Sequence, residues 1–236
     1  MPLPLGLSDV TLTIEVRQQS AVLVFARAPV AGACKTRLEP ALGAYGCAAL
    51  QRLLVEHTVR EASTSGAECV QLWCTPDTTH AFFVRLAAQY GIELVTQRGA
   101  DLGERMHLAL THGLVAAKHA LLIGTDCPAQ DAPRIRKALA AMRAGADLVL
   151  RPARDGGYVG VGLAKPSPSL FKDTEWGADT VMRSTRKAAH LAGLKHTELS
   201  ALDDLDTPKD LAKLSDAWRA RIGALDGKFA KLMRLL

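Results

Sequence analysis

From Ala21 onward, short runs of apolar and β-branched residues alternate with longer stretches whose apolar positions recur every three to four residues. The runs predict strands at 21–26, 68–74, 92–96, 119–124 and 146–150, and the stretches predict helices at 44–62, 78–90, 103–117 and 131–144. Strand and helix in repeated succession predict an α/β fold with a mostly parallel central sheet covered on both faces. After Pro152 the rhythm changes. Asp155-Gly156-Gly157 marks a turn and YVGVGL a further strand, followed by a Pro-rich break at 166–168, a helix near 178–192 and a short strand near 196–200. Residues 207–236 read as one helix, with Thr207-Pro208 as N-cap and first turn. Its apolar stripe of Leu211, Leu214, Trp218, Ile222, Leu225, Phe229 and Leu232 suits core packing or a homodimer surface better than a membrane anchor. The expected organisation is an N-terminal extension over 1–20, a domain over 21–211 and a C-terminal helix over 212–236.

Composition narrows the partners. A chain of 236 residues supports one well-buried domain. No apolar run approaches the roughly 20 residues of a membrane span. The first 19 residues carry no basic start, apolar core and small-residue cleavage site, so a cytoplasmic location is expected. Five cysteines without a Cys-x-x-Cys pair argue against a disulfide framework or a zinc site. The net charge of +5 gathers at Lys228, Lys231 and Arg234 and around the first loop, with little aromatic interleaving. That pattern favours anionic small molecules over nucleic acid.

The chemistry concentrates where strands end. The first strand runs into Arg27, Gly32, Lys35 and Arg37, a basic glycine-containing loop of the kind that holds phosphates, although a solvated surface turn has the same composition. A Walker loop is excluded, because Cys34 stands where its second glycine must be. The strand HALLIG ends in Thr125-Asp126-Cys127-Pro128, which puts Asp126 at the ligand-binding edge of an open sheet, as a metal-binding carboxylate or as the cap of the following helix. Asp204 and Asp206 point to one side of an extended segment and either can complete a metal site, although Asp206 and Thr207 are also ordinary helix caps. A haloacid-dehalogenase-type nucleophile at Asp204 is excluded by its position late in the chain. Asp155-Gly156-Gly157-Tyr158 joins a carboxylate to glycines that let backbone approach a ligand, or forms a plain hairpin turn. In QRGADLGERM, Gly99 and Gly103 suit a flat base, and helix capping by Asp101 and Glu104 also accounts for the segment. His57, His107, His112 and His190 lack ligand spacing, and Cys127 lacks a histidine partner, so all are read as structural.

Taken in order, FARAPVAGACKTRL, QRGADLGERM, LLIGTDCP, RPARDGGYVGVGL, EWGADTVM and DDLDTPKDL resemble a bacterial family of GT-A-like transferases described as radical-SAM/selenodomain-associated, within the nucleotide-diphospho-sugar transferase superfamily. The resemblance covers about Ala21 to Leu211; phospholactate guanylyltransferase and the molybdenum-cofactor nucleotidyltransferases are similar at greater distance. It implies a three-layer α/β/α sandwich that binds a nucleoside triphosphate or nucleotide sugar with Mg²⁺ or Mn²⁺ and transfers a glycosyl or nucleotidyl group to a small-molecule acceptor. Ala26, Arg27, Pro29, Gly32, Lys35 and Arg37 would bind the nucleotide with Gln97, Leu102 and Gly103. Asp126 with Asp204 or Asp206 would hold the metal. Gly156, Gly157 and Tyr158 would line the acceptor side, closed by Trp176. Catalysis would rest on Lys35, Arg37 and Asp126, with Asp155 as the base that a hydroxyl acceptor requires. Arg27 stands where lysine is usual in relatives, and Gly177-Ala178 where small hydroxyl residues are usual. A non-catalytic nucleotide-binding protein is the remaining alternative.

Overall fold

The computed structural model describes residues 18–226. The strands are β1 (Gln18–Arg27), β2 (Cys69–Thr75), β3 (Glu93–Thr96), β4 (Ala117–Gly124), β5 (Leu148–Pro152), β6 (Tyr158–Leu163) and β7 (His196–Glu198). The helices are α1 (Glu39–Ser63), α2 (Ala81–Tyr90), α3 (Leu102–Ala116), α4 (Ala132–Arg143), α5 (Val181–Leu191), α6 (Pro208–Leu211) and α7 (Asp216–Gly223). One seven-stranded sheet runs in the order β3-β2-β1-β4-β6-β5-β7. Its pairs are parallel except where β6 lies antiparallel between β4 and β5.

Alternation along β1 builds the layers. Val22, Val24 and Ala26 pack with α1, α2 and α4 through Val55, Phe82, Phe83, Ile135 and Leu139. Ala21 and Leu23 face α3 and α5 through Leu110, Leu114 and Met182. Burial on both faces explains why β1 reads as a continuous apolar run. The chain moves outward from β1 to β3 with helices on one face, then returns to β4 with α3 on the other, as right-handed crossovers require. The direction therefore reverses between β1 and β4, and the crevice beyond their carboxyl ends is where open sheets of this kind bind ligands. The loops after β1, β3, β4, β5 and β7 all leave at that edge.

Three departures from the sequence reading have local causes. The helix expected from residue 44 is entered through residues 39–42, with a break at Gly43 (φ 66°, ψ 166°), a left-handed conformation natural to glycine. The sheet does not place β5 beside β4: β6 (YVGVGL), in which valine and glycine alternate between Tyr158 and Leu163, slots between them. At Gly162 the strand packs closely under α4, where a Cβ would lie 2.7 Å from the Met142 sulfur. The single helix expected over 207–236 is broken into α6 and α7. Arg219 bonds the carbonyls of Ala212 and Leu214 freed at the break. The turn directs Leu211, Trp218 and Ile222 onto Leu38, Leu50 and Leu54, so these stripe positions are used in core packing. Phe229 and Leu232, and the extension before residue 18, lie outside the described residues.

Candidate active site

The loop after β1 returns to the sheet edge through Lys35, which adopts left-handed backbone angles (φ 51°, ψ 35°) and leads into a 3-10 turn at Thr36–Leu38. Its side chain is 4% exposed, and its ammonium bonds Asp126 at 2.7 Å, Asp206 at 2.9 Å and the Leu205 carbonyl at 2.8 Å. All three ammonium donors are used. Burial alone would lower the Lys35 pKa, but Asp126 and Asp206 outweigh it and hold the group above its ordinary value. The same lysine therefore ties together the loop after β1, the loop after β4 and the segment before α6. A backbone bond from the Leu205 N–H to the Asp126 carbonyl closes the junction at 2.8 Å.

Asp126 does not cap α4. That role belongs to Asp131, whose carboxylate accepts from the Arg134 N–H at 2.9 Å. Asp206 does not cap α6 either, because Thr207 and Asp210 form that cap. Burial pushes Asp204 up to about 7, reinforced by Asp155, Asp126 and Asp206 and only partly offset by Lys35. Asp203 turns away to Arg154. Burial pushes the Cys127 thiol up to about 12, consistent with a structural role.

A cleft of about 880 Å³ opens at this edge. Ala26, Arg27, Gly32, Lys35, Arg37, Gln97, Leu102, Asp126, Tyr158, Asp204 and Asp206, all anticipated from the sequence, line it. Gln97 is locked by bonds from its backbone N–H to Cys74 and from its side chain to the Trp73 carbonyl at 2.8 Å. Arg27 and Arg37 form no ion pair among the described residues and are exposed. A smaller cavity of about 170 Å³ adjoins the cleft, lined by Asp155, Gly157, Tyr158, Trp176 and Asp204 among others.

Pro29, Gly103 and Gly156 line neither space. The flat surface against Gly103 is the protein's own: a Cβ there would come within 2.5 Å of the Trp176 ring, so the glycine seats the indole and leaves no slot for a base. Gly156 (φ 97°) presses on the Asp179 backbone. Asp101 and Glu104 make the capping contacts at the start of α3. Sequence reasoning missed Arg105, Thr75 and Gln51 in the cleft. Arg105 sits inside the noted QRGADLGERM and was readable as a cation one turn into a helix; Thr75 and Gln51 carry no local signal.

Among the described residues, no three His, Cys, Asp or Glu side chains are grouped closely enough to hold a metal by themselves. Mg²⁺ and Mn²⁺ do not require such a cage, since one or two carboxylates plus phosphate oxygens and water suffice. Asp126 and Asp206 are half exposed, at 47% and 38%. The donor set is oxygen-only, which fits a hard divalent cation.

The architecture is that of the GT-A-like nucleotide-diphospho-sugar transferase fold. A structure from Desulfovibrio desulfuricans G20, provisionally named a nucleotide-diphospho-sugar transferase, is 28% identical with a TM-score of 0.79 over 92% of this chain and 98% of its own. A cytidylyltransferase from Leptospira borgpetersenii shares the fold at 14% identity and a TM-score of 0.56, over 92% of this chain and 93% of its own. Rv0371c of Mycobacterium tuberculosis H37Rv, in complex with manganese, shares it at 17% and 0.51, over 84% and 97%. The chain belongs to the family DUF2064, described as uncharacterized proteins conserved in bacteria, whose pattern matches residues 58–178. No curated protein matches the chain. No helix among the described residues is long and apolar enough to cross a membrane.

Proposed function

We propose that the protein is a metal-dependent transferase that uses a nucleotide sugar and transfers its glycosyl group to a small acceptor. The observation that carries this reading is the meeting, at the β1/β4 reversal point, of a basic loop with three aspartates in a cleft sized for a nucleotide. On motif order we further place it in the radical-SAM/selenodomain-associated branch.

In this reading Arg27 and Arg37 are the cations free to take up phosphate oxygens, and a planar guanidinium can do so with two parallel bonds. Ala26 and the immobilised Gln97 border the space for the base at the ends of β1 and β3. Asp126 with Asp204 or Asp206 would hold Mg²⁺ or Mn²⁺, which would supply positive charge to the diphosphate leaving group when bound. Asp155 stands in the adjoining cavity, its carboxylate oriented by the Gly157 N–H at 3.0 Å, where it can take a proton from an acceptor hydroxyl. Tyr158, Leu102, Met106 and Asp204 line both spaces and mark where transfer would occur.

A second reading, nucleotidyl transfer with release of pyrophosphate, is favoured by the three arginines of the cleft, Arg27, Arg37 and Arg105, which suit a triphosphate. A thermal-shift panel of nucleoside triphosphates against nucleotide sugars, with and without Mn²⁺, separates the two. Stabilisation by nucleotide sugars that deepens with Mn²⁺ is expected. Preference for triphosphates selects the second reading, and no metal-dependent stabilisation by either set removes both.

A further inference from the structure

Charge is divided sharply between the two spaces at the sheet edge. The cleft carries four cations beside Asp126, Asp204 and Asp206, whereas the 170 Å³ cavity is lined by Leu102, Met106, Val181, Tyr158, Trp176, small residues and the carboxyl groups of Asp155 and Asp204, with no lysine, arginine or histidine. The cavity is below the roughly 300–1,000 Å³ of ordinary small-molecule sites, so it accommodates one ring of a larger ligand.

The walls are preformed. Trp176 is seated on Gly103, stacked on Phe171 at a centroid distance of 6.4 Å and met edge-on by Tyr158, also at 6.4 Å. Its position is thus set from three elements before any ligand arrives. Asp155 is aimed by the Gly157 N–H. An apolar and aromatic wall facing the Asp155 carboxylate, with the Asp204 carboxyl beside it, is complementary to a ring with C–H groups on one face and hydroxyls at its edge. A phosphate placed there would meet the Asp155 carboxylate with no lysine, arginine or histidine in the lining to compensate it.

Resting on the transferase reading above, we infer that this cavity binds an uncharged, hydroxyl-bearing ring, of the size and chemistry of a single sugar, and rejects a phosphorylated one. Trp176 supplies the stacking face and Asp155 accepts hydroxyl protons. The nucleotidyl alternative with a phosphorylated acceptor does not suit this cavity.

Saturation-transfer NMR of the full chain with methyl glucoside, galactoside and mannoside, and with the matching sugar 6-phosphates and 2-amino sugars, tests the inference. At least one neutral glycoside is expected to bind at least tenfold more tightly than its phosphate. Trp176→Ala and Asp155→Asn should each weaken it at least fivefold, with melting temperatures and UDP, GDP and CDP binding serving as controls for folding and for the cleft. Retention of the glycoside signal with the bound nucleoside diphosphate identifies the ring as the acceptor's. Displacement by a nucleotide sugar but not by the diphosphate identifies it as the donor's, and both results support the inference. Absence of glycoside binding, tighter binding of a phosphate or ammonium analogue, or unchanged binding in both variants overturns it. Nucleotide binding is read separately, so a protein that binds glycosides but no nucleotide keeps the cavity assignment and loses the transferase reading.

Discussion

Replacing Lys35 with methionine keeps most of the buried stem and removes the ammonium that joins Asp126, Asp206 and the Leu205 carbonyl. Breaking a fully buried pair by removing one partner costs about 3–5 kcal/mol, whereas an exposed pair is worth about 0–1. Here the cation is 4% exposed and its partners 47% and 38%, so water screens the carboxylates but not the lysine. An intermediate loss of about 2 kcal/mol follows. For a domain of this size that lowers the melting temperature by roughly 4–8 °C. The loss comes from the carboxylates left facing one another, so adding Asp126→Asn and Asp206→Asn to Lys35→Met should recover part of it. Millimolar Mn²⁺ should likewise raise the melting point of the single variant more than that of the wild type, because one cation replaces another. Differential scanning fluorimetry at neutral pH with and without the metal reads all three. A Lys35→Met protein that melts within about 1 °C of wild type and shows no greater response to Mn²⁺ would refute the view that this lysine balances the charge of the cleft.

The remaining expectations concern the scaffold around the site. Gly156→Ala places a Cβ 2.2 Å from the Asp179 carbonyl oxygen at a φ of 97°, where backbone has to move. A loss of about 2–4 kcal/mol in urea unfolding is expected, and an unchanged midpoint would contradict the packing of that turn on the Asp179 segment. Asp210 is held down at about 2: burial raises it, but hydrogen bonds from Lys213, the Thr207 hydroxyl and N–H, and the Asp206 N–H outweigh that. Its contribution, about 2 kcal/mol at most, is therefore present above the ordinary carboxylate pKa and disappears as pH falls from about 4 toward 2. Asp210→Asn should flatten the acid limb of a melting-temperature profile in that window. His57 is buried edge-on to Trp218 at 4.9 Å, and burial lowers its pKa despite Glu61. Its stabilising contribution is complete above about pH 6.5 and is lost as pH falls through the lowered value; His57→Leu should remove that part of the acid sensitivity, and an identical profile would count against it.

The α/β alternation, strand ends within a residue of Arg27 and at Gly124, the basic loop and the placement of Asp126 beyond a strand were readable because periodicity and turn residues are local properties. The resemblance of the ordered motifs added the GT-A-like class for the same reason: each motif is contiguous. What no window of sequence contains is the choice among partners. The sequence offered Asp126 as a cap for α4, and only the folded backbone hands that bond to Asp131 and leaves Asp126 for Lys35. Lys35 reads locally as a phosphate ligand, yet it is buried against groups as far as 171 residues away. Gly103 reads as room for a base until Trp176 fills it. The apolar stripe after Thr207 has helical spacing throughout, and its division into α6 and α7, with Leu211, Trp218 and Ile222 packed in one cluster with α1, is set by contacts remote in the chain. Local pattern thus determined the elements and the edge at which chemistry gathers. Tertiary structure decided the insertion of β6, the pairing of Lys35 with its aspartates and the division of charge between cleft and cavity, because each depends on distances between segments remote in the chain.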